Sequence, residues 1–552
     1  MTIRDLIKNI NKKEWLFLGA MACLVILVTT IPYIYGYLNA PQNTYFFAVS
    51  GLNKVDYSNY FSYIEQVRQG HFLFEDYFTT EPQPRIILNL FFLTLGIMAK
   101  IFHLSALVIF HIARIVLIPV FIFVFYLFLS FLFKEKFKQK IGLILVCFSS
   151  GWGILLYSLY KNFPPWEQPM DLWIPEAVTF LTFYTNPLFI FSLTLIVSIF
   201  FLMLLGLENK SYKYAMLAGI AGLILFQVHP YHFPTIFFIL GIFWLVLCFY
   251  EKKINWRFFN CGLIFSAVSL PSLLYYYWLS SSHWLTIHRI AQAIPMGYTP
   301  PIKSLIISYG LLWPLAVIGI YFIIKKPEEK QVSRGAGKKI NLSIFLVTWL
   351  IAQTVLIYLP FPLQRRMAEG LHLIICILAT EGIFFIYQKI KKKNVPVILK
   401  NGFLICIISL SLFTPSNIFV ISRDLTIFNH PGFSLPKEII ESMLWLKNNS
   451  PENSNIFSVT DLDINNLVPA FSVRKIFAGH GCETAYYEDK IKKTDWFFSN
   501  NVYDDKKQNF LKENDLDYVL IYKKENYSFR PEEKNYLKQI FKNNLINIYQ
   551  RF

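Results

Sequence analysis

The strongest constraint on this chain is a series of apolar blocks, most of them about 17 to 25 residues long, the length a helix needs to cross ~30 Å of hydrocarbon. They fall at residues 15–35, 105–133, 141–160, 188–206, 214–228, 233–250, 258–279, 304–324, 342–359, 370–387 and 396–414. Backbone amides cannot remain unpaired in lipid, so blocks of this kind fold as helices. A chain that is 55% hydrophobic and only 16% charged is excluded from the class of ordinary soluble domains. The fold expected is a polytopic α-helical membrane protein of about eleven transmembrane helices, with the lipid bilayer as its first partner.

The net charge of +17 does not point to nucleic acid, because the lysines and arginines sit in short clusters between apolar blocks. Clusters so placed orient a chain in the membrane. Lys8, Lys12 and Lys13 put the N-terminus in the cytoplasm and make the first block a retained signal anchor. The segment Ile86–Ile101 is apolar but short. Counting it as a crossing would put the basic cluster at 134–140 outside and invert every later one. As a non-spanning or re-entrant helix, it leaves the clusters at 134–140, 208–213, 251–257, 325–339 and 389–394 cytoplasmic. The loops rich in Pro, His, Trp and carboxylates then all lie outside: 36–104, 161–187, 229–232, 280–303, 360–369 and the tail from 416.

Two domains are expected: a membrane body over residues 1–415, with its first outer loop at 36–104, and a small extracytoplasmic α/β domain over 416–552. In the tail, Ser434–Lys447 has helical periodicity, and Ile456–Val459, Lys475–Ala478, Tyr518–Tyr522 and Leu545–Tyr549 read as strands. Six of the seven cysteines lie in apolar blocks and Cys482 is alone in the tail, so no disulfide framework is legible.

In the first outer loop, Tyr57, Tyr60, Phe61, Ile64 and Val67 recur at helical spacing up to Gly70, which predicts an amphipathic helix on the membrane surface. Asp56, Asn59, Tyr63 and Gln66 form its polar face. Asp56 is either the helix N-cap or a carboxylate held for chemistry. Pro82 and Pro84 stiffen Thr79-Thr-Glu-Pro-Gln-Pro-Arg85 into an extended loop that presents Glu81 and Arg85.

With a cytoplasmic N-terminus, one span, an early Asp on a juxtamembrane helix and the Glu81-Pro82-Gln83-Pro84 motif before the next apolar segment, the chain resembles the glycosyltransferase C superfamily. That superfamily includes protein O-mannosyltransferases, oligosaccharyltransferases and aminoarabinose transferases. The likeness is detailed over residues 1–135 and otherwise a pattern of spans plus an outer domain. Uncharacterised bacterial members share segments similar to Phe78-Thr-Thr-Glu-Pro82, Gln364-Arg-Arg-Met-Ala-Glu-Gly370 and Ala478-Gly-His-Gly-Cys-Glu-Thr484.

The resemblance implies transfer of a sugar, with inversion, from a polyprenyl-phosphate donor to a protein, lipid or glycan acceptor outside a bacterial cytoplasmic membrane. Such transfer needs a carboxylate to take the acceptor proton and cations to receive the departing phosphate. Asp56 is the expected base, with Glu81 as partner or substitute. Arg365 and Arg366 are the expected phosphate ligands, since paired guanidiniums match phosphate oxygens; the alternative is snorkelling at a span end. Arg85 joins them. So does Arg114, whose charge inside an apolar block calls for a lipid phosphate or an intramembrane partner.

His229 and His232, in a turn between two spans, are expected to position substrate together with Glu369. A third metal ligand is not evident at metal-site spacing, so no cofactor is expected, with a divalent metal or the donor phosphate on the two histidines as the alternatives. Asp461-Leu-Asp463 carries the letters of a metal-binding pair but lies far along the tail. Trp152, Trp166, Trp173, His283 and Trp284 suit either a sugar-stacking rim or an interfacial aromatic belt. His480 and Glu483 either fold back to the acceptor or belong to a turn that follows a strand in the tail domain. The rival functions are a transporter or flippase, which would show repeated halves and broken helices, and a polysaccharide polymerase or ligase of unrelated fold.

Overall fold

The computed structural model describes residues 2–162, 164–325, 342–391, 396–459, 462–499, 503–524 and 527–552. Asp461 of the Asp461-Leu-Asp463 pair lies outside the described residues, as do parts of the basic clusters at 325–339 and 389–394. The main helices are α1 (Lys12–Leu38), α2 (Lys54–Gln69), α3 (Leu90–Ile101), α4 (Ala106–Leu132), α5 (Lys136–Phe148), α6 (Pro187–Asn209), α7 (Tyr212–Val228), α8 (His232–Glu251), α9 (Trp256–Ser282) and α10 (Trp284–Ala293). They continue with α11 (Ile302–Tyr309), α12 (Leu312–Lys325), α13 (Leu342–Leu356), α14 (Leu371–Lys391), α15 (Val397–Leu412), α16 (Pro415–Ile427), α17 (Lys437–Asn449), α18 (Tyr487–Ser499) and α19 (Asp504–Glu513).

Among the described residues, six helical segments are long and apolar enough to cross a membrane: α1, α4, α6, α8, α9 and Gln364–Lys391. The number reaches eight if α11 with α12, bent by 89°, and Asn401–Leu412 with α16, bent by 44°, each count as one span. The chain is a polytopic helical membrane protein. Two predicted blocks break. The block at 141–160 stops at Phe148, where Ser149-Ser-Gly-Trp-Gly153 interrupts the periodic apolar run. The block at 304–324 breaks at Gly310, whose φ of 48° favours glycine. Helix α3 has only 12 residues, a length of about 18 Å that does not cross the hydrocarbon unaided.

The chain divides into two compact units. The larger comprises Met1–Ile31, Ile112–Leu279 and Ile294–Arg423; the smaller comprises Pro32–His111, Ser280–Ala293 and Asp424–Phe552. In the larger unit α12 and α14 pack backbone to backbone: a Cβ on Gly319 would meet Leu378 O at 2.0 Å, and one on Gly382 would meet Leu315 O at 2.0 Å. Small residues at such a crossing give van der Waals contact that lipid tails cannot replace.

The smaller unit holds a five-stranded sheet, built from β3 (Asn455–Ser458), β4 (Lys475–Ile476), β5 (Tyr518–Tyr522), β6 (Leu537–Lys542) and β7 (Ile546–Arg551) in the order β4-β3-β5-β7-β6. The strands β4, β3 and β5 are parallel, and β5-β7-β6 are antiparallel. Phe457, Phe477, Phe497, Phe510 and Val519 are part of its core. A separate antiparallel pair joins β1 (Thr44–Phe46) to β2 (Ser434–Pro436).

Helix α2 forms where the periodicity predicts and ends at Gly70, in the left-handed region at φ 111°. Asn59, Tyr63, Glu65 and Gln66 are buried along with its apolar stripe. Of the two readings of Asp56, the cap is corrected. Asp56 is not the N-cap: Asn53 occupies that position, and Asp56 stands in the first turn.

Candidate functional site

The segment 36–104 and the tail motif meet within the smaller unit. His480, in the turn after β4, lies with Nε2 3.0 Å from Asp56 Oδ1. The Cys482 backbone N–H donates to His480 Nδ1 at 3.1 Å, which leaves the ring proton on Nε2 to be donated to Asp56. The motif therefore both follows a strand and reaches back to the first loop. Glu483 accepts from Asn59 Nδ2 at 3.1 Å and pairs with Arg289 of α10.

Arg289 Nε also lies 3.3 Å from Asp76 Oδ2. Asp76 is fully buried, and burial pushes its carboxyl above the usual range while Arg289 pulls it back. Its Oδ1 accepts the Phe78 backbone N–H at 2.9 Å. Glu81 accepts from Lys490 Nζ of α18 at 2.8 Å, and Thr79 donates to the same carboxylate oxygen. Burial lowers the Lys490 ammonium from its ordinary value, and Glu81 opposes that. Arg85 donates to Gln66 Oε1 at 3.0 Å and to the Tyr77 hydroxyl at 2.7 Å, and it lies 3.5 Å from both Glu75 and Glu452.

In the larger unit, His232 Nε2 lies 2.7 Å from Glu369 Oε2, and His229 Nδ1 lies 3.8 Å from the same oxygen. The sequence offers no third ligand beside the two histidines, but the fold brings Glu369 to them from 137 residues beyond His232. The ligand atoms of all three residues lie within 4.8 Å of one another. Arg366 stacks over the Tyr231 ring at 5.6 Å and Arg365 over Trp173 at 4.6 Å. Both arginines belong to the single 3-10 turn Gln364–Ala368 that leads to Glu369.

Arg114 is fully buried. Its Nη1 donates to Thr29 Oγ1 at 3.0 Å and to the Phe183 carbonyl at 3.2 Å, and its Nη2 to Thr30 Oγ1 at 3.0 Å. Hydroxyls and backbone carbonyls thus solvate a charge that lipid would not.

Asp76, Arg289 and Lys490 are the site residues that sequence reasoning missed. Asp76 stands among aromatics in Phe74-Glu-Asp-Tyr-Phe78, and Arg289 is the one arginine or lysine of the amphipathic helix α10, so each carried a signal. Lys490 sits among Lys492 and Lys493 and carried none.

The fold has counterparts among solved structures. Over 93% of its length the chain is similar to the Archaeoglobus fulgidus oligosaccharyltransferase crystallised with a tethered acceptor peptide containing the NVT sequon, with a TM-score of 0.57, 14% identity and 69% of that chain covered. A structure of archaeal oligosaccharyltransferase AglB from the same organism, in complex with an inhibitory peptide and a dolichol-phosphate, gives a TM-score of 0.56 at 12% identity, over 93% of this chain and 70% of that one. The arabinofuranosyltransferase AftD from Mycobacteria gives 0.51 at 12% identity; 98% of this chain is covered but only 40% of AftD. No protein-family model matches the sequence, and no curated protein is significantly similar to it.

Proposed function

We propose that this chain, which has the glycosyltransferase C fold, moves a sugar from a polyprenyl-phosphate-linked donor to an acceptor outside a bacterial cytoplasmic membrane. The observation that carries the reading is the Asp56–His480 pair, a first-loop carboxylate oriented by an imidazole from the tail motif. In the reaction proposed, the acceptor oxygen attacks the anomeric carbon and its proton passes to Asp56. The bond from that carbon to the phosphate oxygen breaks, and the polyprenyl phosphate leaves with the electron pair, with inversion.

Glu81, held by Lys490, is the second carboxylate, and His480 and Glu483 position the acceptor. Arg365 and Arg366 are the residues assigned to the leaving phosphate, with His229, His232 and Glu369 positioning substrate. Arg85 and Arg114 were expected in the phosphate role too, but the protein groups that hold them give that role less support. The neighbours named for an acceptor peptide and a dolichol-phosphate support a lipid-linked donor as the substrate class.

The orientation proposed has about eleven crossings, α3 not spanning, the N-terminus inside and residues 416–552 outside as an α/β domain. The functional reading is tested with purified protein in lipid and a panel of radiolabelled polyprenyl-phosphate sugars, with Asp56→Asn and Glu81→Gln alongside. Transfer or hydrolysis lost in Asp56→Asn is expected. Donor binding without turnover of any sugar would overturn the reading in favour of a transporter.

A further inference from the structure

We propose that His229, His232 and Glu369 form a binding site for one zinc-class divalent cation. Two imidazoles and a carboxylate are a donor set that suits zinc and the neighbouring transition ions. The three residues are 5%, 0% and 0% exposed, and their ligand atoms lie within 4.8 Å of one another.

The protein groups around the cluster do not satisfy it. Glu369 Oε1 and His232 Nδ1 are buried with no hydrogen-bond partner among the described residues. Buried polar atoms left this way carry the full cost of desolvation. A cation bound through Glu369 Oε2 would neutralise the buried carboxylate, and the unpartnered Oε1 is available to it as a second donor.

The supporting contacts are already in place. Ser192 Oγ lies 2.7 Å from His229 Nδ1. Gln353 Nε2 donates to the Glu369 carbonyl at 2.8 Å, and the Trp349 indole N–H donates to Gln353 Oε1 at 2.7 Å. Such outer contacts orient the ligands of metal sites. The 2.7 Å contact between His232 Nε2 and Glu369 Oε2 is a hydrogen bond; a cation bound by both atoms would displace its proton, to His232 Nδ1 or to solvent, and the two atoms would move apart to about 3.4 Å, as ligand bonds of ~2.0–2.2 Å at tetrahedral angles require. Three protein ligands leave a fourth position for water or a substrate oxygen. The ion would also fasten the turn between α7 and α8 to the loop that carries Arg365 and Arg366.

The test is metal uptake, measured without any sugar donor, so that its result is independent of the transfer reading. Full-length protein in lipid nanodiscs is stripped with EDTA, offered Zn²⁺, desalted and assayed by mass spectrometry for bound metal. One equivalent per chain is expected, falling at least tenfold in Glu369→Gln and His232→Ala and unchanged in Asp56→Asn. Absence of stoichiometric zinc in the unaltered protein, its retention in both site variants, or its loss in Asp56→Asn would each overturn the proposal. Should the two variants fail to fold, His232→Cys loaded with Co²⁺ decides. A thiolate-to-cobalt charge-transfer band absent from the unaltered protein supports the site, and an unchanged spectrum overturns it.

Discussion

Asp56 keeps 29% of its side chain exposed and accepts a hydrogen bond from the His480 imidazole, which orients it while leaving it accessible. Asparagine has the same shape but cannot accept the acceptor's proton, so Asp56→Asn is expected to lower transfer by about 10²–10⁴-fold with donor binding retained. Asp171 is the opposite case. It is fully buried in the loop before α6, and although Gly153 N–H donates to Oδ2 at 2.9 Å, burial pushes its carboxyl up to about 7. A carboxyl raised in the folded state binds its proton more tightly there than in the unfolded chain, so its contribution to stability falls as pH rises from the unfolded value of about 4 through about 7. Asp171→Asn removes that dependence. Thermal unfolding of the two proteins is expected to coincide near the acid end and to separate in favour of the variant towards pH 8; a gap that does not vary with pH would refute the assignment.

Among the elements, α3 carries the topology. At 12 residues it is about 18 Å long, the proposed topology leaves it short of a crossing, and Gly96 seats it against Val67 of α2, where a Cβ would come within 2.4 Å of the valine Cβ. Single cysteines introduced on a cysteine-free background at Lys134 and Lys252 are expected to be protected from an impermeant thiol reagent in intact cells, and one at Glu452 to be labelled. Labelling at Lys134 would make α3 a true span.

Legibility in the sequence followed the range of the forces involved. Helix α2 and strand β5 were read at their observed positions because burial on one face imposes a local period. Strand β6 was missed because Leu537-Lys-Gln-Ile-Phe-Lys542 is a half-exposed edge with both of its lysines exposed, and edges carry charge that masks alternation. The break at Ser149 was hidden inside a continuous apolar run. The candidate residues at 56, 81, 480 and 483 were visible as chemistry. Their partners were not, because a contact between residues 424 apart leaves no local pattern.

At the scale of the whole molecule, the smaller unit is assembled from three stretches separated by long membrane segments. Asp76 is fully buried with Arg289 beside it, and Asp56 meets a residue 424 positions on. A ribosome adding ~5–20 residues per second takes about 20 to 85 s to cover that distance. Through this interval Asp56 lacks His480 and Glu81, in the loop between α2 and α3, lacks Lys490, and a chain that stops after Arg423 acquires neither. Limited proteolysis of such a truncated chain is expected to cut between Phe72 and Asn89, where the complete protein resists. The three-part unit therefore makes the newborn first loop a client that must be sheltered until the last quarter of the chain has been made.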